Sequence, residues 1–225
     1  MMPPPFERMD KTPEPCISTE TISLKSPSGK EFILLARPVA HLSKYFRTAL
    51  NSTFREASNP LFLLTEHCND EVLGAFTNWT YLRSSGIPYD VEDVSFLMDL
   101  SQGNQVIAWL FGDYIQAPEF QNDIMRRMLL AASFCLSGSI LQDLGPIIPE
   151  DSRLEKYIVD KFCCQMMQRP AAIGGKIDFL TANLARKVSK KLSQVLLDHQ
   201  DLCGDLYRSY GWMVGPAGEY EVKVE

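Results

Sequence analysis

The stretch TISLKSPSGKEFILLARPVAHLSKYFRTAL (residues 21–50) decides the fold. Thr21, Ile22, Ser23, Leu24 and Lys25 alternate polar and apolar, the period of a half-buried strand. Ser26-Pro27-Ser28-Gly29 is a turn cluster, and Glu31-Phe32-Ile33-Leu34-Leu35 reads as the return strand of a hairpin. Pro38 suits the first turn of a helix. Val39, Leu42, Phe46, Ala49 and Leu50 then recur at helical spacing and predict one apolar helix face. Ser43 falls inside that helix, where its hydroxyl can bond back to an earlier carbonyl.

Beyond this stretch, Asn59-Pro60 breaks the chain, and the fully apolar run at residues 61–64 predicts a short buried strand. Asn69 or Asp70 can cap a helix whose apolar face is Val72, Leu73, Phe76 and Trp79, with Tyr81 and Leu82 at its end. Val91, Val94, Phe96, Leu97 and Leu100 predict a short helix closed by Gly103. Val106, Ile107, Leu110, Phe111 and Tyr114 form another helical face. Phe120, Ile124, Met125, Met128 and Leu129 continue the period past the tight joint Ala117-Pro118, so the two helices read as a helical hairpin. From residue 131 onward the pattern is helices and loops. Asp151 or Ser152 caps a helix through Leu154, Tyr157, Ile158 and Phe162. One or two more helices across 178–200 carry Phe179, Leu180, Leu184, Val188, Leu192, Val195 and Leu196. Lys187, Lys190 and Lys191 on that segment read as a solvated face.

Composition bounds the function. Hydrophobic residues make up 45% of the 225, which is ordinary for a globular chain. That length fits one large domain, or one domain with an appendage, at roughly 100–200 residues each. Acidic residues outnumber basic ones, 28 to 22, and apart from the short lysine group at 187–191, read as a solvated face, no Lys/Arg cluster offers a footprint for a phosphate backbone, so no nucleic-acid partner is expected. Only His41, His67 and His199 could serve as imidazole ligands or proton carriers, which argues against metal and histidine chemistry. No apolar run approaches the roughly 18 residues of a membrane span, and the first residues lack the apolar core of a signal peptide. Cys16, Cys68, Cys135, Cys163, Cys164 and Cys203 are scattered without a CxxC pair and read as reduced, mostly buried groups. The expected location is intracellular, in cytoplasm or nucleus, with no membrane partner.

Signatures of chemistry are missing. Ser137-Gly138-Ser139 lacks the frame of a nucleophile elbow, and there is no phosphate loop or dinucleotide fingerprint. His67 and Cys68 are adjacent, and neighbours in sequence rarely face each other as a nucleophile and its base. Tyr89-Asp90-Val91-Glu92-Asp93 suits an acidic helix start better than a calcium loop, which needs alternating oxygen ligands and a closing Glu. No catalytic residue, cofactor site or metal site is expected, and the chain reads as a non-enzyme. A small enzyme with an unrecognised site is the alternative of another class.

Several short patterns occur in one order: Phe32-x-Leu34, Val39, Ser43-x-x-Phe46, Ala49-Leu50, Phe54-x-Glu56, Leu61-x-Leu63, Phe76-x-x-Trp79-x-Tyr81, and Phe111-Gly112-Asp113-x-x-x-x-Pro118-x-Phe120-x-Asn122. Together they resemble the BTB/POZ domain family, in particular the short BTB-domain proteins of filamentous fungi, over roughly residues 20–130. Leu35 and Ala36 stand where that family often has a His and a basic residue. The resemblance implies an α+β fold, a BTB/POZ-like three-stranded sheet capped by helices, with an α-helical C-terminal extension. The chain then divides into a disordered proline-rich lead (1–18), a BTB/POZ-like domain (19–130), a helical extension (131–205) and a loosely ordered tail (206–225). The lead holds Pro3, Pro4, Pro5, Pro13 and Pro15 and few large apolar residues, too few to build a core. The implied function is a protein–protein interaction module, a self-associating scaffold or adaptor working as a homodimer. Family members that recruit a cullin scaffold place a hydrophobic-x-Glu motif in the loop after the first helix. Phe54 and Glu56 stand at that position, which makes them the candidate partner-binding residues of a ubiquitin-ligase substrate adaptor.

Overall fold

A computed structural model describes residues 20–51, 61–64, 66–90, 94–131, 137–168 and 174–198. The expected hairpin forms from β1 (Thr21–Lys25) and β2 (Glu31–Leu35), antiparallel, with Leu24 opposite Phe32. Gly29 turns the chain at φ +91, a left-handed conformation that a Cβ would disfavour. The turn is closed by Gly29 N–H to Ser26 O and Ser26 N–H to Lys30 O, both 2.9 Å. The run at 61–64 supplies β3 (Leu61–Leu63), which lies parallel to β1 in the sheet order β2-β1-β3. Among the described residues, helices cover only one face of this sheet. Ile22, Leu24, Leu34 and Phe62 point under the helices and are buried. The expectation of a buried run at 61–64 therefore holds for Phe62 and for Leu64, just past the strand: β3 is an outer strand, and Leu61 and Leu63 point to the open side.

The predicted helix after Pro38 is two helices, α1 (Ala36–Leu42) and α2 (Lys44–Leu50). Ser43 is not inside a helix. Its backbone is extended (φ −134, ψ 124), and its hydroxyl accepts the Phe46 N–H at 3.3 Å as the cap of α2. The same hydroxyl donates to the Ile115 carbonyl at 2.5 Å, so a buried break in the chain is held by a distant element. Asn69 caps α3 (Asp70–Ser84), accepting the Val72 N–H at 2.9 Å. Val72, Leu73, Phe76 and Trp79 of α3 are buried as the helical period requires.

A four-residue α4 (Ser95–Met98) leads into α5 (Gln102–Tyr114) and α6 (Pro118–Leu130), the expected helical hairpin. Gly103 does not close the helix before it. It lies in the first turn of α5, whose cap is Ser101, accepting the Asn104 N–H at 3.2 Å. Pro118 stands at the start of α6, where its missing N–H leaves no helical bond unmade. The two helices cross closely at Gly112: a Cβ there would lie 2.7 Å from Gln121 Cγ and 3.3 Å from Phe120 Cδ1. Aromatic rings fill the centre edge to face, with centroids 5.0 Å apart for Phe46 and Phe62 and 5.4 Å for Phe76 and Phe111.

The C-terminal part adds α7 (Gly138–Leu144), α8 (Arg153–Gln168) and α9 (Ala182–Asp198). Ser152 caps α8, accepting the Glu155 N–H at 3.1 Å. Leu154, Tyr157, Phe162, Leu184 and Val188 extend one continuous core rather than building a second one. Tyr157 ties α8 to α6 by donating to the Met128 carbonyl at 2.8 Å. The lysine cluster is not simply a solvated face. Lys187 reaches Glu155 at 2.6 Å and Asp151 at 2.7 Å, Lys191 pairs with Asp160, and only Lys190 of the three is exposed. Glu155 and Asp160 are each 3% exposed, so apolar packing of α9 on α8 brings two cations onto two buried carboxylates. The architecture is α+β: a small mixed three-stranded sheet capped by helices, followed by C-terminal helices. Among the described residues, no helix is long and apolar enough to cross a membrane.

Candidate interaction surface

The register of the sheet builds its open face. Ser23 stands between Ile33 of β2 and Leu61 of β3, and Lys25 between Glu31 and Leu63. Ile33 is 57% exposed, Leu61 39% and Leu63 67%. Leu35, next on the same side of β2, is half-buried. Three large aliphatic side chains thus share one uncovered sheet face, rimmed by the exposed Lys25 and Glu31. Leu61 and Leu63 follow one another on β3, while Ile33 is set apart from Leu61 by Ser23 of β1.

The strand edges differ. Ser26 N–H to Lys30 O and Ala36 N–H to Glu20 O fix which pairs of the hairpin are hydrogen-bonded. By the alternation of antiparallel ladders, Glu31, Ile33 and Leu35 turn their backbone groups away from β1. Tyr81, placed by the last turns of α3, takes the middle one: its hydroxyl donates to the Ile33 carbonyl at 2.9 Å. On the other side, Leu64 N–H bonds to Lys25 O at 3.0 Å. The parallel ladder then turns Phe62 toward β1 and aims the N–H and C=O of Leu61 and Leu63 outward. No described residue bonds to those groups. An edge of this kind is a template for another strand.

Phe54 and Glu56, the residues expected to touch a cullin scaffold, lie outside the described residues. So do Cys16, Cys135, Cys203 and His199, the whole proline-rich lead (1–18), and the tail (206–225). His67 and Cys68 are not brought together as a reacting pair. The His67 ring lies edge-on to Tyr114, with centroids 6.5 Å apart, while the Cys68 thiol donates to the Leu64 carbonyl at 3.4 Å. Burial, and then the charge of Asp70, push the Cys68 thiol up to about 11, so it stays protonated at neutral pH. Cys68 lines an open cleft of about 380 Å³ with Pro27, Ser28, Asn69, Asp70 and Glu71. Within it, Ser28 Oγ donates to both Asp70 carboxylate oxygens, at 2.8 and 3.0 Å. Hydrogen bonds from Ser26 and Ser28, together with the Lys30 charge, hold that carboxyl below its ordinary range. Among the described residues, no group of three or more His, Cys, Asp or Glu side chains is arranged to hold a metal ion.

Sequence reasoning missed a buried polar hub. Asp123 of α6 is 2% exposed and accepts from Trp79 Nε1 at 2.9 Å and Tyr89 Oη at 2.6 Å. Arg126 approaches Oδ1 at 3.4 Å, and Arg83 lies 3.8 Å from Oδ2, the oxygen that Trp79 and Tyr89 bond, while pairing with Glu119 at 2.7 Å. The Arg83 guanidinium also lies 5.8 Å from the Trp79 ring and 5.4 Å from the Tyr89 ring. Burial, reinforced by Asp123, holds the Tyr89 phenol well above its usual range. The available signal was an Asp at a position where the helical period demands an inward residue, next to Asn122 and Ile124.

The sequence matches no family model, and no curated protein matches it.

Proposed function

We propose that this chain is a non-enzymatic protein–protein interaction module of the BTB/POZ type, acting inside the cell as a self-associating scaffold or adaptor. The supporting pattern is the order of elements, hairpin, helix pair, outer strand, capped helix and helical hairpin, together with the motif residues that fill its core. The observation that carries the binding function is the uncovered sheet face with Ile33, Leu61 and Leu63 on it. Removing each of these side chains from water contributes about 1 kcal/mol or more, since they are already partly covered. Lys25 and Glu31 stand opposite each other at the rim and supply both signs of charge. A two-fold symmetric contact, in which one patch meets its own copy, needs that self-complementarity.

The test is the concentration dependence of the mass of the full chain, compared with the variant Ile33→Asp with Leu63→Asp. A monomeric parent would remove the self-association.

A further inference from the structure

We infer that one buried water molecule bridges the side chains of Gln105 and Trp109 in the seam between α5 and α6. Both residues belong to α5 and are nearly sealed from solvent, Gln105 at 4% exposed and Trp109 at 2%. Among the described residues, nothing bonds Oε1 of Gln105 or Nε1 of Trp109, and both atoms are buried. Buried polar atoms of folded chains are almost always hydrogen-bonded, because one left bare gives up its hydration without return. Two such atoms, one helical turn apart, ask for one partner that serves both.

The spacing brings them together. Residues four apart on a helix stand one above the other on the same face. A long helical side chain leans back over the preceding turn, which directs the Trp109 ring over the turn of Gln105. The next residue of that stripe is Gly112, where Gln121 of α6 packs against α5. Gln121 Nε2 also donates to the Trp109 carbonyl, at 3.4 Å. Gln105, Trp109 and Gly112 therefore line the seam with α6. The Gln105 amide has only one orientation there. Its Nε2 donates to the Leu100 carbonyl at 3.0 Å. Turning the amide over would set oxygen against oxygen, so Oε1 stays on the side away from Leu100.

The two atoms define the ligand. Trp109 Nε1 can only donate, and Gln105 Oε1 can only accept. The bridging group must accept from one and donate to the other. An anion has no proton for the amide oxygen, and a metal ion or ammonium has no lone pair for the indole proton. A hydroxyl compound has both, and in a close-packed seam the smallest of them, water, is the one that fits. Its lone pair takes the indole proton and one of its hydrogens goes to the amide oxygen. Trp79 shows the other solution, since its indole donates to the Asp123 carboxylate at 2.9 Å. The water is a structural ligand of the helical hairpin and is independent of the function proposed above.

Hydration measured by nuclear magnetic resonance tests the water in solution. The full chain is prepared with isotope-labelled tryptophan, and Trp109→Phe assigns the indole signal that matters. A dipolar cross-peak in the rotating frame between the Trp109 indole proton and water is expected, with none at Trp79. Its sign is opposite to that of chemical exchange, so the two are told apart. No peak at Trp109, a peak of exchange sign alone, or equal dipolar peaks at both rings overturns the inference. A crystal structure of the full chain gives a second measurement. One water about 2.7–3.2 Å from both Gln105 Oε1 and Trp109 Nε1 is expected; two separate waters, or a protein atom on the indole, overturn the bridge. Thermal unfolding of Gln105→Met, Trp109→Phe and the double variant gives a third. Either substitution breaks the bridge, so the midpoint of the double variant should fall by clearly less than the sum of the single falls. A fall equal to that sum overturns the shared water.

Discussion

Trp79 Nε1 donates to Oδ2 of Asp123 at 2.9 Å, joining α3 to α6 through a carboxylate that is almost wholly buried. Tyr89 donates to the same oxygen from the segment after α3. Two neutral donors and the flanking Arg83 and Arg126 thus converge on one anion. Asp123→Ala leaves both donors without their acceptor, and the chain should lose about 3 kcal/mol of stability. Urea denaturation followed by circular dichroism measures it. A loss below about 1 kcal/mol would mean that water replaces the carboxylate without penalty.

The crossing of α5 and α6 gives a second prediction. Gly112 faces Gln121 Cγ and Phe120, so Gly112→Ala forces a buried side chain aside. The helix preference for Ala offsets part of this, leaving a net loss of about 1–2 kcal/mol. Gly74 in α3 is the control: its nearest neighbour would be Phe32 Cε1 at 3.7 Å, an ordinary contact. Gly74→Ala should raise stability by about 0.5–1 kcal/mol. Thermal unfolding of both variants checks the pair, and equal effects of one sign would refute the close crossing.

The three lysines of α9 should separate. Lys187→Ala leaves Glu155 buried with Asn183 as its remaining side-chain partner, at 2.9 Å, and Asp151 N–H at 2.6 Å. Because Lys187 is itself partly exposed, the expected loss is about 1–2 kcal/mol. Lys190→Ala should change stability by less than about 0.5 kcal/mol. Chemical denaturation ranks them, and an equal response would return the whole cluster to a solvated face.

Periodicity revealed the hairpin, α3, the helical hairpin and α8, because each buries one regular stripe. It failed where a residue's role depends on something far away in the chain. Ser43 looked helical because Val39, Leu42 and Phe46 keep the helical spacing across it. Its extended backbone is held by Ile115, whose carbonyl no local pattern announces. Gly103 looked like a stop signal, yet Ser101 starts a helix just before it. The run at 61–64 is apolar throughout, and composition could not say that only one side of its sheet is covered. Lys187 and Lys191 looked solvated because their carboxylates belong to a different helix. The open face itself was hidden in the strand alternation: Ile33, Leu61 and Leu63 occupy outward positions, which became visible only once the register was known.

Sedimentation velocity of the full chain, from about 1 to about 100 μM, tests most directly whether this open face joins two copies, the range in which a weak dimer would form. The parent is predicted to shift from monomer toward dimer across that range. Ile33→Asp with Leu63→Asp should remain monomeric with an unchanged unfolding midpoint, since neither side chain is part of the core. A parent that stays monomeric at the highest concentration, or a double variant that dimerises like the parent, would contradict self-association through the sheet.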